Sequence, residues 1–220
     1  MSSSSQRYSP IHDWHVGLNP EWRQIQGMMA AWSFQSVEAE ESRMADLGLC
    51  DCSCLPRTSF KGPGALAWLE GLGIAVPPNM YGYSNWNGQG LLIRVDKQEV
   101  LFEDDLEGQG VKQIIERHRA AASGVYRVER QDASFLLSGA KSTKVLLETC
   151  GYDFRAPGHS LVMTRVAGVS CAVLRLEKGT FPLFRFWLDC SYGAYLWEAL
   201  HEIVHDHGGD VVGLGCHYGT

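Results

Sequence analysis

The segment His201-Glu-Ile-Val-His205 has the residue types and the spacing of a zinc-peptidase motif. On a helix, positions i and i+4 lie on one face, so the imidazoles of His201 and His205 would approach the same ion. Glu202 would then be placed to act as the general base on a zinc-bound water. The segment makes His201 and His205, with Glu202 as base, the zinc candidates of this chain.

A third metal ligand is hard to find in the sequence. In the extended form of the motif, a third histidine would fall at position 211, which is valine, and only Asp210 and His217 remain as weaker candidates. The same helix also has a packing explanation, because an apolar stripe runs at helical spacing between residues 196 and 204. We therefore expect no metal site, and a zinc hydrolase is the third of the functions considered.

The segment Gly62-Pro-Gly64-Ala-Leu-Ala67 fits the glycine fingerprint of dinucleotide-binding folds. That fingerprint requires an acidic residue about 20 positions later to hold the ribose. No carboxylate occurs between Glu70 and Asp96. We interpret the glycines as a tight turn that lets a helix pack on the preceding strand, and we assign no cofactor-binding or catalytic residue to this chain.

An apolar run that ends at a glycine, with a leucine seven positions later, occurs twice in the chain. The first copy contains Phe60-Lys-Gly62 and Leu69, and the second contains Leu137-Ser-Gly139 and Leu146. Each copy predicts a strand, a tight glycine turn, and a helix that folds back onto the strand. Two such units predict a duplicated architecture.

Short strands and few helices are predicted for the rest of the chain. The predicted strands are 91–95 and 100–103, which form a hairpin, then 125–128, 160–165, 169–176 and 181–189. The predicted helices are 111–122 and 192–207, the second with Ser191 as N-cap and with Asp189 just ahead of it, where negative charge is favourable. Because most connections are hairpins, the predicted class is α+β rather than a doubly wound parallel sheet.

Three regions are predicted along the chain. Residues 1–44 begin with a serine-rich, aperiodic stretch but carry Trp14, Trp22 and Trp32, so we interpret them as a flexible arm that docks on a partner. Residues 45–125 form a first α+β lobe. Residues 126–220 form a second lobe of order β-α-β-β-β-α. The first lobe looks like a shorter relative of the second.

Composition excludes several classes of function. The formal net charge is −6, and no cluster of lysine and arginine indicates a nucleic-acid-binding surface. No apolar run approaches the roughly 20 residues that span a bilayer, and the N-terminus lacks the apolar core of a secretory signal. We expect a cytoplasmic protein that binds neither nucleic acid nor membrane.

The seven cysteines show no paired CxxC of the kind that builds zinc sites. Cys50, Cys52 and Cys54 alternate, which in a strand would place their sulfurs on one face. We expect reduced, buried thiols that behave as small apolar side chains, and leave metal or redox use as the alternative.

A series of short motifs follows in a fixed order between residues 45 and 205. They are Gly48-Leu-Cys-Asp-Cys-Ser53, Leu55-Pro-Arg57, Lys61-Gly-Pro-Gly-Ala65 with Trp68-Leu69, Pro78-Asn79, Leu137-Ser-Gly139, Cys150-Gly-Tyr-Asp153, Phe154 to Pro157-Gly158, Thr164-Arg165, Asp189-Cys-Ser191 and Tyr195-Leu-Trp197. In this order they resemble the gamma subunit of heterotetrameric sarcosine oxidase, a small relative of the glycine-cleavage T-protein.

This resemblance implies a place in an oxidoreductase complex of four different subunits. Such a complex oxidises sarcosine or a similar N-methyl or secondary amino acid. FAD, FMN and NAD are expected in the partner subunits of alpha, beta and delta type, and none in this chain. The resemblance also implies the fold of the folate-binding part of the T-protein, and a structural rather than catalytic role. We expect docking through the tryptophan-rich arm and the Trp197 flank of the last helix.

The T-protein itself is the nearest rival. It is similar over this region but uses an aspartate in a Gly-Gly-x-x-Asp-Asp stretch just before the hairpin strand. The corresponding residues 86–94 of this chain contain no carboxylate, and aminomethyl transfer needs an ionisable group at the reacting atom. A stand-alone tetrahydrofolate-binding or one-carbon-transfer protein therefore remains the alternative function.

Overall fold

The computed structural model describes residues 7–118, 123–155 and 160–219. Within these residues the chain divides into two compact units. Unit 1 is built from described residues of Met1–Cys54, Asp132–Gly158 and Val162–Thr220, and unit 2 from those of Leu55–Gln131 and His159–Leu161. Positions 119–122 of the predicted helix and the motif residues Pro157-Gly158 lie outside the described residues.

The described residues form fourteen strands, seven α-helices and one short 3₁₀ helix. The strands are β1 Arg7–Tyr8, β2 Glu21–Ile25, β3 Met28–Ser33, β4 Gly48–Asp51, β5 Arg57–Lys61, β6 Tyr83–Trp86, β7 Gly90–Asp96, β8 Glu99–Glu103, β9 Tyr126–Glu129, β10 Ala133–Ser138, β11 Val162–Val166, β12 Val169–Lys178, β13 Phe181–Leu188 and β14 Asp210–Val211. The helices are α1 His12–Val16, α2 Val37–Asp46, α3 Ala65–Gly71, α4 Gln109–His118, α5 Ser142–Thr149, α6 Gly193–Asp206 and α7 Gly215–Tyr218, and the 3₁₀ helix is Cys190–Tyr192.

Unit 1 is organised around a six-stranded sheet of order β11-β12-β13-β10-β4-β14. Neighbouring strands are antiparallel except for the short β14, which pairs with β4 in parallel. Side chains of α5 and α6 pack with alternate side chains of the strands. The main residues of this core are Leu47, Leu49, Phe135, Leu137, Val145, Leu146, Phe184, Phe186, Leu196, Trp197 and Leu200.

The predicted flexible arm is folded over its described part and belongs to unit 1. Its strands form a three-stranded sheet of order β1-β3-β2. Ile11, Met28 and Ala30 are buried there, and Trp14 is half-buried. The prediction of a flexible segment was wrong for residues 7–44, because burial of these side chains opposes the chain entropy that keeps a tail free. Its role in docking a partner stays a prediction.

Unit 2 contains a five-stranded antiparallel sheet of order β6-β7-β8-β5-β9. Helices α3 and α4 supply apolar side chains to its core. That core consists of Phe60, Leu69, Leu92, Val100, Phe102, Val111, Ile114 and Val125. The predicted hairpin corresponds to β7 and β8, which pair through Leu92 and Phe102 among others.

The predicted duplication is confirmed by the order of the elements. The run β5-α3-β6-β7-β8-α4 is followed by β10-α5-β11-β12-β13-α6, so both copies read β-α-β-β-β-α. The spatial orders β6-β7-β8-β5 and β11-β12-β13-β10 are also the same. Mixed hairpins and helices give the predicted α+β class.

The two glycine turns are built alike. Gly62 and Gly139 have φ of 117° and 105°, a region that side chains rarely adopt. In each copy the glycine carbonyl accepts a hydrogen bond from the first helical residue, Ala65 at 3.0 Å or Ser142 at 3.1 Å. The strand–turn–helix signal in the sequence therefore has the predicted structural meaning in both copies.

The boundaries between the units differ from the predicted lobes. The chain leaves unit 1 after Cys54 and returns to it at Asp132, whereas the lobes were divided at residues 125 and 126. The physical reason is strand pairing. β9, just after the predicted boundary, pairs with β5 of unit 2, and β4 pairs with β10 of unit 1 although both repeats follow it in the sequence. No helix among the described residues is long and apolar enough to cross a membrane.

Candidate functional site

Helix α6 carries the predicted zinc candidates, and a carboxylate caps the 3₁₀ turn that precedes it. Asp189 accepts a hydrogen bond from the backbone N–H of Ser191 at 2.9 Å, at the N-terminus of the 3₁₀ turn that leads into the helix. Ser191 was predicted as the cap, and that prediction was wrong. The predicted favourable position of the Asp189 charge agrees with this geometry.

The apolar side of α6 faces the core of unit 1. Leu196, Trp197 and Leu200 are completely buried. Trp14 of α1 contacts the Trp197 ring edge-on, with the centroids 5.5 Å apart. Trp197 itself has no exposed surface, so the predicted flank presents only His201 and His205 to a partner, and its use in docking stays a prediction.

His201 and His205 lie one turn apart, with ring centroids 6.3 Å apart. The His201 ring lies against Trp14 at 4.7 Å, and its Nε2 is 3.8 Å from Asp210 Oδ1. Burial lowers the pKa of His201, which Asp210 opposes by favouring the charged form. Asp210 is also paired with Arg43 at 3.1 Å, so its charge is already balanced by a permanent cation.

A third metal ligand is not brought to this pair. Among the described residues, no group of three or more histidine, cysteine, aspartate or glutamate side chains is placed to hold a metal ion. His217, the other downstream candidate, is buried in α7, where Lys178 donates a hydrogen bond to its carbonyl oxygen at 3.3 Å. The motif therefore supplies two of the three ligands that catalytic zinc sites use.

We expect metal-stripped protein that has been incubated with zinc and desalted to retain no stoichiometric zinc. The half-buried imidazole of His201 and the exposed imidazole of His205, without a third ligand, hold zinc too weakly to survive desalting. Metal analysis by mass spectrometry checks this, with His201→Ala as the matched variant. One zinc per chain in the parent protein, lost in His201→Ala, would contradict the expectation and revive the hydrolase hypothesis.

The space beside the dinucleotide-like glycine segment is occupied by the backbone of residues 123–126. A Cβ at Gly62 would lie 2.4 Å from the carbonyl oxygen of Gly124, and one at Gly64 would lie 3.3 Å from Val125. The N–H of Gly64 already donates to the Gly124 carbonyl at 3.1 Å. These glycines allow close approach of residues 123–126, as the packing interpretation of the turn predicts.

Two carboxylates that the sequence did not place there lie beside the turn between β6 and β7. Asn87 and Gly88 form this turn, and a Cβ at Gly88 would lie 3.8 Å from Asp105 Oδ2. Asp104 and Asp105 reach it from the end of β8, and together these residues line a cavity of about 330 Å³. Residues 86–94 lack a carboxylate, but the segment that follows β8 brings Asp105 beside Gly88.

Asp104 is a helix-capping residue in this arrangement. Its Oδ2 accepts a hydrogen bond from the N–H of Val111 at 2.7 Å, and its Oδ1 accepts one from Asp105 N at 3.1 Å. Burial raises the pKa of Asp104, and the backbone hydrogen bonds oppose that rise. Asp105 is half-buried and accepts from the N–H groups of Glu107 and Gly108, so both carboxylates order the start of α4.

None of the seven cysteines forms a disulfide in the described residues, and Cys50, Cys52 and Cys54 are buried. Burial raises the pKa of Cys50 well above its ordinary value, and neighbouring Cys52 adds to the rise. Cys52 donates to the Ser134 carbonyl at 3.2 Å and accepts from Arg185 at 3.0 Å. Because a thiolate is the reactive form, the expectation of inert buried thiols describes Cys50 well.

A buried ion pair between Arg57 and Glu103 was missed by sequence reasoning. The two residues are register partners on β5 and β8, their Nε and Oε2 atoms are 2.5 Å apart, and each side chain is 2% exposed. Arg57 belongs to the Leu55-Pro-Arg57 motif, but nothing in the sequence pairs it with Glu103. A charged residue inside a predicted strand was the one available signal.

We expect acid to lower the folding stability of unit 1, because it contains three histidines whose pKa is lowered in the folded state. Burial lowers the pKa of His15, His201 and His217 below 6.5. Between pH 6.5 and the lower pKa values of the folded state, these histidines bind more protons in the unfolded chain than in the folded one. Their contribution to the free energy of unfolding is therefore fully present above pH 6.5 and is lost as the pH falls through that range. Urea denaturation at pH 7.5, 6.5 and 5.5 measures this.

His217→Leu is the informative variant for this acid effect. Both ring nitrogens of His217 are buried without a hydrogen-bond partner, so leucine removes a titrating group without breaking a hydrogen bond. We expect a smaller loss of stability between pH 7.5 and 5.5 in His217→Leu than in the parent. An equal or larger loss would show that His217 does not titrate with unfolding.

The fold and the duplicated β-α-β-β-β-α units define the class of this protein: its fold is that of the glycine-cleavage T-protein and of heterotetrameric sarcosine oxidase. The predicted fold is thereby confirmed. No protein-family model matches the sequence, and no curated protein matches it either.

Two solved structures show the likeness in detail. The aminomethyltransferase T of the glycine cleavage system from Bartonella henselae superposes with a TM-score of 0.72 and 17% identity, over 96% of this chain and 61% of that one. Heterotetrameric sarcosine oxidase from Corynebacterium sp. U-96, in complex with pyrrole 2-carboxylate, superposes with a TM-score of 0.63 and 13% identity, over 79% of this chain and 93% of the matched one. The chain thus spans about three-fifths of the aminomethyltransferase.

Proposed function

We propose that this chain is the gamma-type subunit of a heterotetrameric complex similar to sarcosine oxidase. In this proposal the complex oxidises sarcosine or a similar N-methyl or secondary amino acid. The chain itself is a structural component and carries no catalytic residue. Its partners are subunits of alpha, beta and delta type, which hold FAD, FMN and NAD, and the complex is cytoplasmic.

The observation that supports this proposal best is the extent of the two structural matches. The matched chain of the sarcosine oxidase complex is covered almost from end to end, at 93%, by 79% of this chain. The aminomethyltransferase, by contrast, has 39% of its length beyond the match. A match that extends over nearly the whole of one chain of that complex supports the proposed subunit role.

The proposal is tested by purifying the tagged chain from its native cells. We expect co-purification of three further subunits in defined stoichiometry, flavin absorbance near 450 nm, and sarcosine-dependent reduction of that absorbance. The chain expressed alone should show neither flavin absorbance nor amine oxidation. Flavin bound to the lone chain, or a native chain without flavoprotein partners, would contradict the proposal.

A stand-alone folate-binding or one-carbon-transfer protein is the second candidate. It is favoured by Asp105, which lies beside the Asn87-Gly88 turn where the resemblance to the T-protein places a carboxylate. Calorimetric titration of the lone chain with tetrahydrofolate tests it, with Asp105→Asn as the matched variant. Saturable binding that is weakened by Asp105→Asn would support this candidate over the subunit role. No heat of binding would remove it.

A further inference from the structure

His15 holds the short helix α1 in unit 1 from inside a cage of aromatic rings. Its side chain is 2% exposed. The nearest rings are Trp197 at 5.2 Å, Phe34 at 5.4 Å and Trp14 at 5.7 Å between centroids, and Trp22 lies at 6.4 Å. The Nε2 atom is buried and has no hydrogen-bond partner. A neutral imidazole fills this space, whereas an imidazolium would leave a charged N–H group unsatisfied.

Helix α1 depends on such anchors because it is very short. Its five residues are far fewer than an isolated helix needs in water. Ile11, just before the helix, and His15 lie four positions apart and are both buried, so they share the inward face. Ile11 is apolar at every pH. His15 is therefore the buried anchor of α1 whose fit depends on protonation.

Three titratable groups lie around His15, one on β4, one on α1 itself and one on α6. Asp51, at the end of β4, favours the protonated form, and His12 of the same helix disfavours it. His201 of α6 lies on the far side of Trp14. Phe34, Trp22 and Trp197 bring no charge. Burial has the largest influence on the pKa of His15, so this pKa is lowered although the Asp51 carboxylate favours the protonated form.

We propose that protonation of His15 releases helix α1 from unit 1, so that the seating of residues 11–18 is a pH-sensitive latch. At neutral pH the latch is closed, and Trp14 and Trp197 are covered by one another. In acid the imidazolium is favoured outside the cage, where water solvates it. Release would expose the side of α6 that carries Trp197, against which Trp14 packs in the closed state.

Hydrogen exchange of the full chain, read by mass spectrometry from pH 7.5 to pH 5, tests the latch. After correction for the intrinsic exchange rate, we expect opening of residues 11–18 to rise up to about tenfold for each pH unit below 6.5, as uptake of one proton requires. Peptides from β7 and β8 of unit 2 serve as the internal reference and should not change in this range. Protection of residues 11–18 that does not vary with pH would overturn the proposal.

Two variants identify the residue responsible. His15→Phe keeps an aromatic ring but cannot be protonated, so its residues 11–18 should stay protected down to pH 5. His201→Phe should keep the pH dependence of the parent. If His15→Phe still opens in acid, or if the dependence disappears in His201→Phe instead, His15 is not the latch. If His15→Phe folds poorly, the pH dependence of hydrogen exchange in the parent protein still shows whether residues 11–18 open in acid.

Discussion

Replacing Glu103 by glutamine is expected to lower the free energy of unfolding by about 3–5 kcal/mol, because the Arg57 guanidinium is then buried opposite a neutral amide. Arg57→Met should cost a similar amount, since it leaves the Glu103 carboxylate buried without its cation. Each side chain of this pair is only 2% exposed, so water cannot replace the missing partner.

The double variant Arg57→Met/Glu103→Leu separates a charge effect from a packing effect. Apolar residues of similar volume often replace a buried ion pair at little cost, so the double variant should be more stable than either single variant. Urea denaturation followed by circular dichroism gives the stabilities of the parent, Arg57→Met, Glu103→Leu and the double variant, and the double-mutant cycle of these four proteins gives the coupling energy. Additive losses in the double variant would show that the two charges do not stabilise each other.

An exposed ion pair provides the control. Lys141 and Asp46 are 2.7 Å apart, but their side chains are 37% and 48% exposed. Exposed pairs contribute about 0–1 kcal/mol, so Asp46→Asn should have a small effect. A loss of stability in Asp46→Asn as large as that in Glu103→Gln would mean that burial is not what makes the Arg57–Glu103 pair important.

Features with a local signal could be predicted from the sequence. Gly62 and Gly139 each follow an apolar run and precede a leucine at helical distance, and both turns form as predicted. The hairpin of β7 and β8 likewise consists of two apolar runs that are joined by a turn at Asp96-Lys-Gln. Such signals involve residues within about one element of each other, where backbone preference and periodicity act directly.

Features that depend on distant contacts could not be predicted. Residues 7–34 form strands and a five-residue helix too short to show a period, and they are ordered by contacts such as that between Trp14 and Trp197. Arg57 and Glu103 are 46 positions apart. Asp105 approaches Gly88 only because β7 and β8 pair in register. In each case strand pairing, rather than local propensity, brings the residues together.

Replacing Gly139 by alanine is expected to destabilise the protein by about 3 kcal/mol or more, because two costs add. Its φ of 105° is unfavourable for any residue with a Cβ. The new Cβ would also lie 2.4 Å from the carbonyl oxygen of Asp46 and 2.7 Å from Leu47 N, and backbone atoms cannot rotate away as a side chain would. Thermal and urea denaturation measure the loss.

Gly168→Ala separates the two costs, because that glycine also has a positive φ, of 83°, but a Cβ there would meet nothing within 4 Å. We expect it to cost about 1–2 kcal/mol from the backbone alone. Gly62→Ala should resemble Gly139→Ala, since its Cβ would lie 2.4 Å from the Gly124 carbonyl. If Gly62→Ala and Gly139→Ala destabilise the protein no more than Gly168→Ala, close packing is not the reason that both repeats have a glycine at this position. A larger loss of stability in both variants would show that each repeat needs glycine there because a backbone carbonyl lies too close for a Cβ.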